Sequence, residues 1–219
     1  MTKRNNNVKA VLFDMDGTIL DTVPLIVESF QYTYYKHTGQ YREDQDIIAT
    51  IGLPLENVFS EFAPDLREEM FQTYIAHNVK LLPSHIGLFL GMPSLFAGLK
   101  AAGIKLGIVT SKRIDSAKRS IEPFHLDEYF EFILAKEDTS RHKPDPEPLM
   151  LAMRKLGVTD SDSVVYVGDS IHDLRCAQNA GCKSVVVDWT YMNKDELRAA
   201  DPDLWLERAE DLLKWVVTD

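Results

Sequence analysis

Short apolar runs that alternate with helical segments and glycine turns place the strongest constraint on the fold of this chain. Such runs lie at residues 8–13, 105–110, 132–135, 164–167, 184–187 and 204–206. Helices are predicted at residues 93–102, 113–120, 146–156, 171–179 and 209–217. Strands separated by such helical crossovers form a parallel sheet. The sequence therefore predicts an α/β fold with a Rossmann-like, doubly wound parallel sheet as its core.

The stretch between the first two runs has a different pattern, because no strand signal interrupts residues 24–82. Helices are predicted over residues 24–36, 44–51, 55–62 and 65–82. The last helix carries the clearest apolar stripe, which consists of Leu66, Met70, Tyr74, Ile75 and Val79. We expect residues 22–88 to form an all-helical cap above the carboxyl edge of the sheet. Residues 1–21 and 89–219 would then form the core.

The charge and the cysteine content of the chain limit its partners and its location. The 219 residues carry a formal net charge of −10, which argues against a general binder of nucleic acid or of an anionic membrane surface. An anionic ligand would need a local cluster of cations. Two cysteines, Cys176 and Cys182, are too few for a disulfide framework, and no apolar run is long enough to span a membrane. We therefore expect a cytoplasmic protein with neither nucleic acid nor a membrane as its partner.

Two carboxylates follow the first apolar run directly, in the sequence DMDGT at residues 14–18. Open α/β sheets bind their ligands outside the carboxyl ends of the strands, where Asp14 and Asp16 are predicted to lie. Like charges held close together in a partly desolvated site repel each other. A divalent cation would offset this repulsion, although the run also fits a strand followed by a polar turn.

Three further polar clusters stand at predicted strand ends or helix starts. Thr110 and Ser111 follow the second run, where hydroxyl and backbone N–H groups can bind a phosphate or can simply cap a helix. Lys143 opens a proline-rich segment, which would hold its ammonium on a stiff support or leave it exposed on a loop. Asp169 and Asp173, after a later run, lie four residues apart and so share one helix face.

Together the clusters predict one site, in which aspartates at positions 14, 16, 169 and 173 provide the hard oxygen ligands that suit Mg²⁺ beside a phosphate. At this point the chain resembles the haloacid dehalogenase superfamily of phosphotransferases, because all four motifs match those of that family in order. The resemblance covers the whole predicted core, and the helical insertion is similar to the family's C1 type of cap. Within the superfamily, the chain looks most like phosphoglycolate phosphatases and bacterial cytoplasmic pyrophosphatases.

This resemblance implies a Mg²⁺-dependent hydrolase of small phosphate esters or phosphoanhydrides that works through an aspartyl-phosphate intermediate. Its substrate would be a small phosphorylated metabolite or pyrophosphate. Asp14 would be the nucleophile and Asp16 the general acid and base, with Lys143 as a third catalytic group. The metal ligands that the resemblance implies are the Asp14 side chain, the Asp16 carbonyl oxygen and Asp169, with Asp173 beside them. The phosphoryl oxygens would be bound by Gly17, Thr110, Ser111 and Lys143.

Two alternatives remain open at this stage. A receiver-like signalling domain also combines a phospho-accepting aspartate, a hydroxyl and a lysine on a parallel sheet, although Asp16 and the large cap argue against it. A β-phosphoglucomutase-like phosphotransferase would carry a histidine in the cap hinge where this chain has Ile26. Hydrolysis is therefore the favoured reaction. Neither the physiological substrate nor the oligomeric state follows from the sequence.

Overall fold

Six parallel strands form a single sheet in the computed structural model, which describes residues 7–217. The strands are β1 (Ala10–Phe13), β2 (Lys105–Val109), β3 (Ile133–Leu134), β4 (Val164–Gly168), β5 (Lys183–Val187) and β6 (Leu204–Leu206). Their order across the sheet is β3-β2-β1-β4-β5-β6, and every neighbouring pair is parallel. The predicted doubly wound α/β core is thereby confirmed, with strand bounds that differ from the predicted ones by at most two residues.

Helices cover both faces of the sheet and its carboxyl edge. In chain order they are α1 (Val23–Thr38), α2 (Asp44–Ile48), α3 (Leu55–Phe62), α4 (Arg67–His85), α5 (Met92–Ala101), α6 (Ile114–Ile121), α7 (Glu147–Leu156), α8 (Ile171–Ala180), α9 (Lys194–Ala199) and α10 (Ala209–Val217). Within residues 7–217, no helix is both long enough and apolar enough to cross a membrane.

Strand β1 lies at the centre of the sheet and is buried on both faces, as parallel strands usually are. Val11 and Phe13 belong to the apolar cluster that includes α5 and α10, whereas Ala10 and Leu12 belong to the cluster on the other face, with α7 and α8. Because β1 pairs with both β2 and β4, the strand order reverses on either side of it. Such a reversal opens a crevice at the carboxyl ends of the strands, where α/β sheets bind ligands.

The helices α1 to α4 form a helical layer (residues 23–85) with an apolar core of its own. At its centre the ring of Phe30 lies 5.1 Å from that of Phe59 and 5.0 Å from that of Tyr74, measured between centroids. All four helices coincide with predicted ones, although α2 ends at Ile48 and α4 extends to His85. The layer therefore holds together by burial of its own apolar side chains as well as by contact with the sheet.

The buried face of α4 differs from the predicted stripe. It consists of Met70, Phe71, Tyr74, Asn78 and Leu82. The prediction was wrong for Val79, which is 38% exposed. A step of four residues from Tyr74 brings Asn78 and not Val79 toward α1, where its amide donates to the buried hydroxyl of Ser29 at 3.3 Å. An apolar pattern overlooks such a position, because the polar residue is buried through a hydrogen bond.

Two chain segments connect the helical layer to the sheet and run side by side. Leu20 pairs with Leu88 in an antiparallel bridge, and the Asp21 N–H donates to Gly87 O at 2.8 Å. This pairing holds the segment after the first motif beneath the helical layer. The domain boundaries, placed by the sequence between residues 21 and 22 and between 88 and 89, stay predictions.

Helix α9 has no counterpart among the predicted helices. Its six residues are mostly polar, so they show no apolar period, and only Leu197 is buried. The Asn193 side chain begins the helix by accepting hydrogen bonds from the N–H groups of Asp195 and Glu196, at 3.0 and 3.3 Å. This helix is thus specified by its cap and by one buried side chain.

Candidate active site

A tight turn after β1 positions the first motif. The Asp14 N–H donates to Val167 O of β4 at 2.8 Å, so the sheet pairing continues as far as Asp14. Gly17 then takes a φ of +80°, in the left-handed region that favours glycine. A Cβ at Gly17 would stand 2.3 Å from Oδ2 of Asp169. Both the backbone conformation and the close approach of this carboxylate therefore require glycine.

Three buried carboxylates meet beside this turn. Asp14 follows β1, Asp169 follows β4 and Asp173 lies in the first turn of α8, and each offers an oxygen within 4.8 Å of the other two. None is more than 4% exposed. Ser170 orients the last one, because its N–H and its hydroxyl donate to Asp173 Oδ2 at 3.2 and 2.5 Å. The structure thus brings together three of the four predicted aspartates.

The ammonium of Lys143 lies within this cluster and is itself buried. Its Nζ donates to Oδ1 of Asp14 and to Oδ1 of Asp173, both at 2.6 Å, and to the hydroxyl of Tyr166 at 3.2 Å. The Tyr166 oxygen also lies 3.0 Å from Asp173 Oδ1 and 3.0 Å from Val109 O. The lysine therefore joins acids from two different strand ends, and the tyrosine supports it from within β4.

Burial opposes ionisation of the acids in this cluster. It raises the pKa of Asp14 to about 7 and the pKa of Asp169 well above its usual value, and the neighbouring carboxylates add to both shifts. Asp173 is also buried, but its ion pair with Lys143 and its hydrogen bonds hold its pKa below the usual value. Burial would likewise lower the pKa of Lys143, yet contact with two carboxylates keeps it above the ordinary value. One cation thus faces three carboxylates, and further positive charge would stabilise the site.

The cluster has the properties of a site for a small divalent cation. Oδ2 of Asp169 is buried and has no hydrogen-bond partner among the described residues, which is costly for a carboxylate oxygen unless a cation contacts it. The three carboxylates offer hard oxygen donors from separate elements, as Mg²⁺ sites do. The residues present therefore fit the metal that the sequence motifs imply.

Substitution of Gly17 by Ala tests whether glycine is needed here for its backbone conformation alone or also for the close approach of the Asp169 carboxylate. We expect a loss of stability of about 1–2 kcal/mol from the left-handed backbone, and in addition weaker Mg²⁺ binding, because the new methyl group would displace the Asp169 carboxylate. Gly39→Ala is the matched control, since Gly39 has a φ of +71° but a methyl group there would point into open space. Thermal unfolding and titration calorimetry with Mg²⁺ measure the two effects. Equal Mg²⁺ affinity in both variants would contradict the expected role of the contact.

The carboxylate of Asp16 lies outside the cluster of three. Its Oδ1 accepts hydrogen bonds from the Thr22 hydroxyl and from Lys112 Nζ, both at 2.7 Å. The side chain of Asp16 is thereby held at the junction between the sheet and the helical layer. It lines the same cavity as Asp14.

The loop after β2 contributes the predicted hydroxyls. Thr110 is buried, continues the pairing with β3 through its N–H, and accepts a hydrogen bond at Oγ1 from Lys112 N at 3.1 Å. The hydroxyl of Ser111 is buried and has no partner in the described chain. Helix α6 begins at Ile114, with Arg113 at its N-cap, so these hydroxyls lie in the loop before it and do not cap it. The unpaired hydroxyl is a group that a bound phosphate would satisfy.

A cavity of about 790 Å³, part of it open to solvent, separates the helical layer from the carboxyl edge of the sheet. The core contributes polar groups to its wall, among them Asp14, Asp16 and Ser111. The helical layer contributes a mainly apolar wall, which includes Ile26, Phe30, Val58, Phe71, Tyr74 and Ile75. Reactive groups and a shielding surface therefore face each other across a space for a small molecule.

Two residues of this site were missed by the sequence reasoning. Lys112 lies two residues after Thr110, in the loop that follows β2. This closeness in the sequence to a predicted phosphate-binding residue was the signal that could have identified it. Tyr166 lies inside the apolar run of β4, where nothing in the sequence distinguishes its hydroxyl from a core contact. The contact between the Tyr166 hydroxyl and Lys143 is visible only in the folded structure.

A family comparison agrees with this geometry. The sequence model of the family described as haloacid dehalogenase-like hydrolase matches residues 11–187. The chain belongs to this family, so it is an enzyme of the hydrolase class, and the resemblance seen in the four motifs is confirmed.

Individual relatives place the chain among the phosphatases of the family. The pyrophosphatase PpaX of Halalkalibacterium halodurans is 38% identical over 94% of this chain and 95% of its own length. The solved structure of CbbY from Rhodobacter sphaeroides, in complex with phosphate, has a TM-score of 0.79 and 25% identity, covering 94% of this chain and 96% of its own. A predicted phosphoglycolate phosphatase from Haemophilus somnus is similar in fold, with a TM-score of 0.84 at 21% identity, covering 95% and 97%.

Proposed function

We propose that this protein is a Mg²⁺-dependent phosphatase that hydrolyses small phosphate esters or phosphoanhydrides through an aspartyl-phosphate on Asp14. The observation that carries the proposal is the cluster of Asp14, Asp169, Asp173 and Lys143 at the carboxyl ends of β1 and β4, next to an open cavity. The similarity to a named pyrophosphatase supports pyrophosphate as a substrate. The similarity to CbbY, whose structure contains phosphate, supports a phosphate group as the part of the substrate that is bound.

In the first step a carboxylate oxygen of Asp14 forms a bond to phosphorus while the bond from phosphorus to the leaving oxygen breaks. Lys143 holds the other Asp14 oxygen in place through its 2.6 Å contact. Asp16 is the general acid, and it gives its proton to the leaving oxygen. Because Thr22 and Lys112 both contact Oδ1 of Asp16, its Oδ2 is the oxygen that would carry this proton.

In the second step water attacks the phosphorus of the aspartyl-phosphate. Asp16 takes a proton from that water, so that phosphate leaves and Asp14 is restored as a carboxylate. The unpaired Ser111 hydroxyl, Thr110, Lys143 and the N–H of Gly17 are the groups that would bind the phosphoryl oxygens. Asp14, Asp169 and the Asp16 carbonyl oxygen, with Asp173 beside them, would hold Mg²⁺, which when bound would supply positive charge against the phosphoryl oxygens.

The apolar wall of the helical layer gives the reaction a partly dry environment. Phe30, Val58 and Phe71 line the cavity opposite the acids. Exclusion of water by such a surface strengthens the electrostatic contacts in the site. A cytoplasmic location remains a prediction from the composition, and the two buried free thiols are compatible with it.

A hydrolysis screen tests the proposed function. The purified chain is incubated with pyrophosphate, phosphoglycolate, p-nitrophenyl phosphate and other small phosphates, with Mg²⁺ or with a chelator in excess. We expect phosphate release from at least one member, lost on chelation and restored by added Mg²⁺, because the acids alone carry excess negative charge. If no member of the panel releases phosphate, the proposal is overturned. Full activity in the presence of excess chelator would also overturn it.

A further inference from the structure

The cations around the cavity are unevenly distributed, and this bears on which leaving groups the site accepts. From the helical layer, the only charged residue among the described ones that line the cavity is Glu56. From the loop after β2, Lys112 and Arg113 line it as well. With a net charge of −10 the chain as a whole repels anions, so an anionic leaving group must be attracted locally. That attraction has to come from the core side of the cavity.

Arg113 is not free for this task. Its guanidinium faces Glu56 at 3.6 Å and Glu137 at 3.3 Å, and its side chain is 48% exposed. Lys136 contacts the same Glu56 oxygen at 2.6 Å, which makes this a compensated group of ion pairs across the junction. Arg113 thus already contacts two carboxylates in a half-exposed position, where water and salt screen its attraction for a further anion.

Lys112 is placed differently. Its side chain is only 15% exposed, and within residues 7–217 its Nζ contacts a single carboxylate oxygen, Oδ1 of Asp16, at 2.7 Å. An ammonium has three N–H donors, so two remain for a ligand in the cavity. Asp16 is the group that faces the leaving oxygen in the proposed reaction. An atom attached to that leaving oxygen would therefore lie beside Nζ of Lys112.

We propose that Lys112 is a specificity-determining residue that binds a second anionic group carried by the leaving part of the substrate. This inference rests on the proposed function and narrows its substrate class to small molecules with two anionic groups. In pyrophosphate the leaving oxygen is bonded directly to the second phosphorus. The charged oxygens on that second phosphorus would come within reach of Nζ of Lys112. A leaving group without a second anion makes no such contact. The preference is thus set by the core loop and not by the apolar wall of the helical layer.

Binding without turnover provides the first test. Methylenediphosphonate, which has two anionic groups, is compared with methylphosphonate, which has one, by calorimetry in the presence of Mg²⁺. Lys112→Met should weaken binding of the diphosphonate about 10- to 100-fold, as expected for the loss of a hydrogen bond between charged groups, while methylphosphonate binding changes little. Lys112→Arg should restore most of the preference. Lys118→Met, which removes an exposed charge from α6, is the matched control and should behave as the wild type.

Kinetics provides the second test. For Lys112→Met, kcat/KM should fall for pyrophosphate, mainly through KM, and should change far less for p-nitrophenyl phosphate. Equal losses for both substrates and both phosphonates would overturn the inference, because Lys112 would then act only through Asp16. An unchanged preference in Lys112→Met would also overturn it. If the protein hydrolyses none of the substrates but shows the expected phosphonate binding, the proposed function fails and the assignment to a leaving group fails with it, whereas the contact of Lys112 with a second anionic group stands.

Discussion

Replacement of Asp14 by Asn should abolish turnover and leave the fold intact. The amide has nearly the size of the carboxylate, and its oxygen can still accept the hydrogen bond from Lys143, which also keeps its contact with Asp173. An amide cannot displace a leaving group from phosphorus, so the first step is lost. We expect phosphate release to fall by at least about 10⁴-fold, as for the loss of other nucleophiles.

Two measurements check this expectation. Steady-state phosphate release gives the size of the loss, and labelled substrate shows whether the denatured protein retains a phosphoryl group. Asp127→Asn makes the same change at a solvent-exposed position outside the helical layer, and this control variant should keep wild-type activity. The thermal midpoint should stay near that of the wild type, because the change removes a charge that burial already disfavours. A variant with substantial turnover would mean that Asp14 is not the nucleophile.

Replacement of Asp16 by Asn should reduce turnover by about 10²- to 10⁴-fold, the usual contribution of a general acid and base. The amide oxygen can still accept from Thr22 and Lys112, so the position of the side chain should be kept. Both steps lose their proton transfer. The second step is affected with every substrate, whereas the first suffers most with alkoxide leaving groups, which need a proton in order to leave.

This difference gives the Asp16 variant a signature of its own. With p-nitrophenyl phosphate, whose leaving group is stable as an anion, the first step should continue and the second should stall. Phosphorylated protein should therefore accumulate in Asp16→Asn and should be absent in Asp14→Asn. Equal, mild losses in the two variants, with no labelled protein in either, would contradict both assigned roles.

The fold was largely predictable from the sequence because its signals are local. Each strand is a short, mainly apolar run, and the central parallel strands are buried on both faces, so the few polar residues stand at or near the ends of the runs. The helices of the layer between β1 and β2 were visible for a similar reason, since apolar side chains recur along them. Helix α9 was missed because its cap at Asn193 and one buried leucine specify it, with no apolar period to detect.

The candidate site was predictable in its members but not in its contacts. Asp14, Thr110 and Asp169 each follow a strand, and parallel strands bring their carboxyl ends to one edge, so convergence follows from topology. The separate orientation of the Asp16 carboxylate does not follow, because it depends on Thr22 and on Lys112, which is far away in the chain. The same holds for Lys143, whose two carboxylate contacts lie 129 and 30 residues away.

The sequence by itself determined the order of strands and helices, the family motifs and the residues at each strand end, because these depend on neighbours within a few positions of the chain. The tertiary structure alone decided how the charges pair. Ion pairing depends on distances of a few ångström and on exclusion of water, and both arise only when separate elements pack together. For this reason the ion pairs of Lys143 with Asp14 and Asp173, and the contact between Lys112 and Asp16, appeared only in the folded chain.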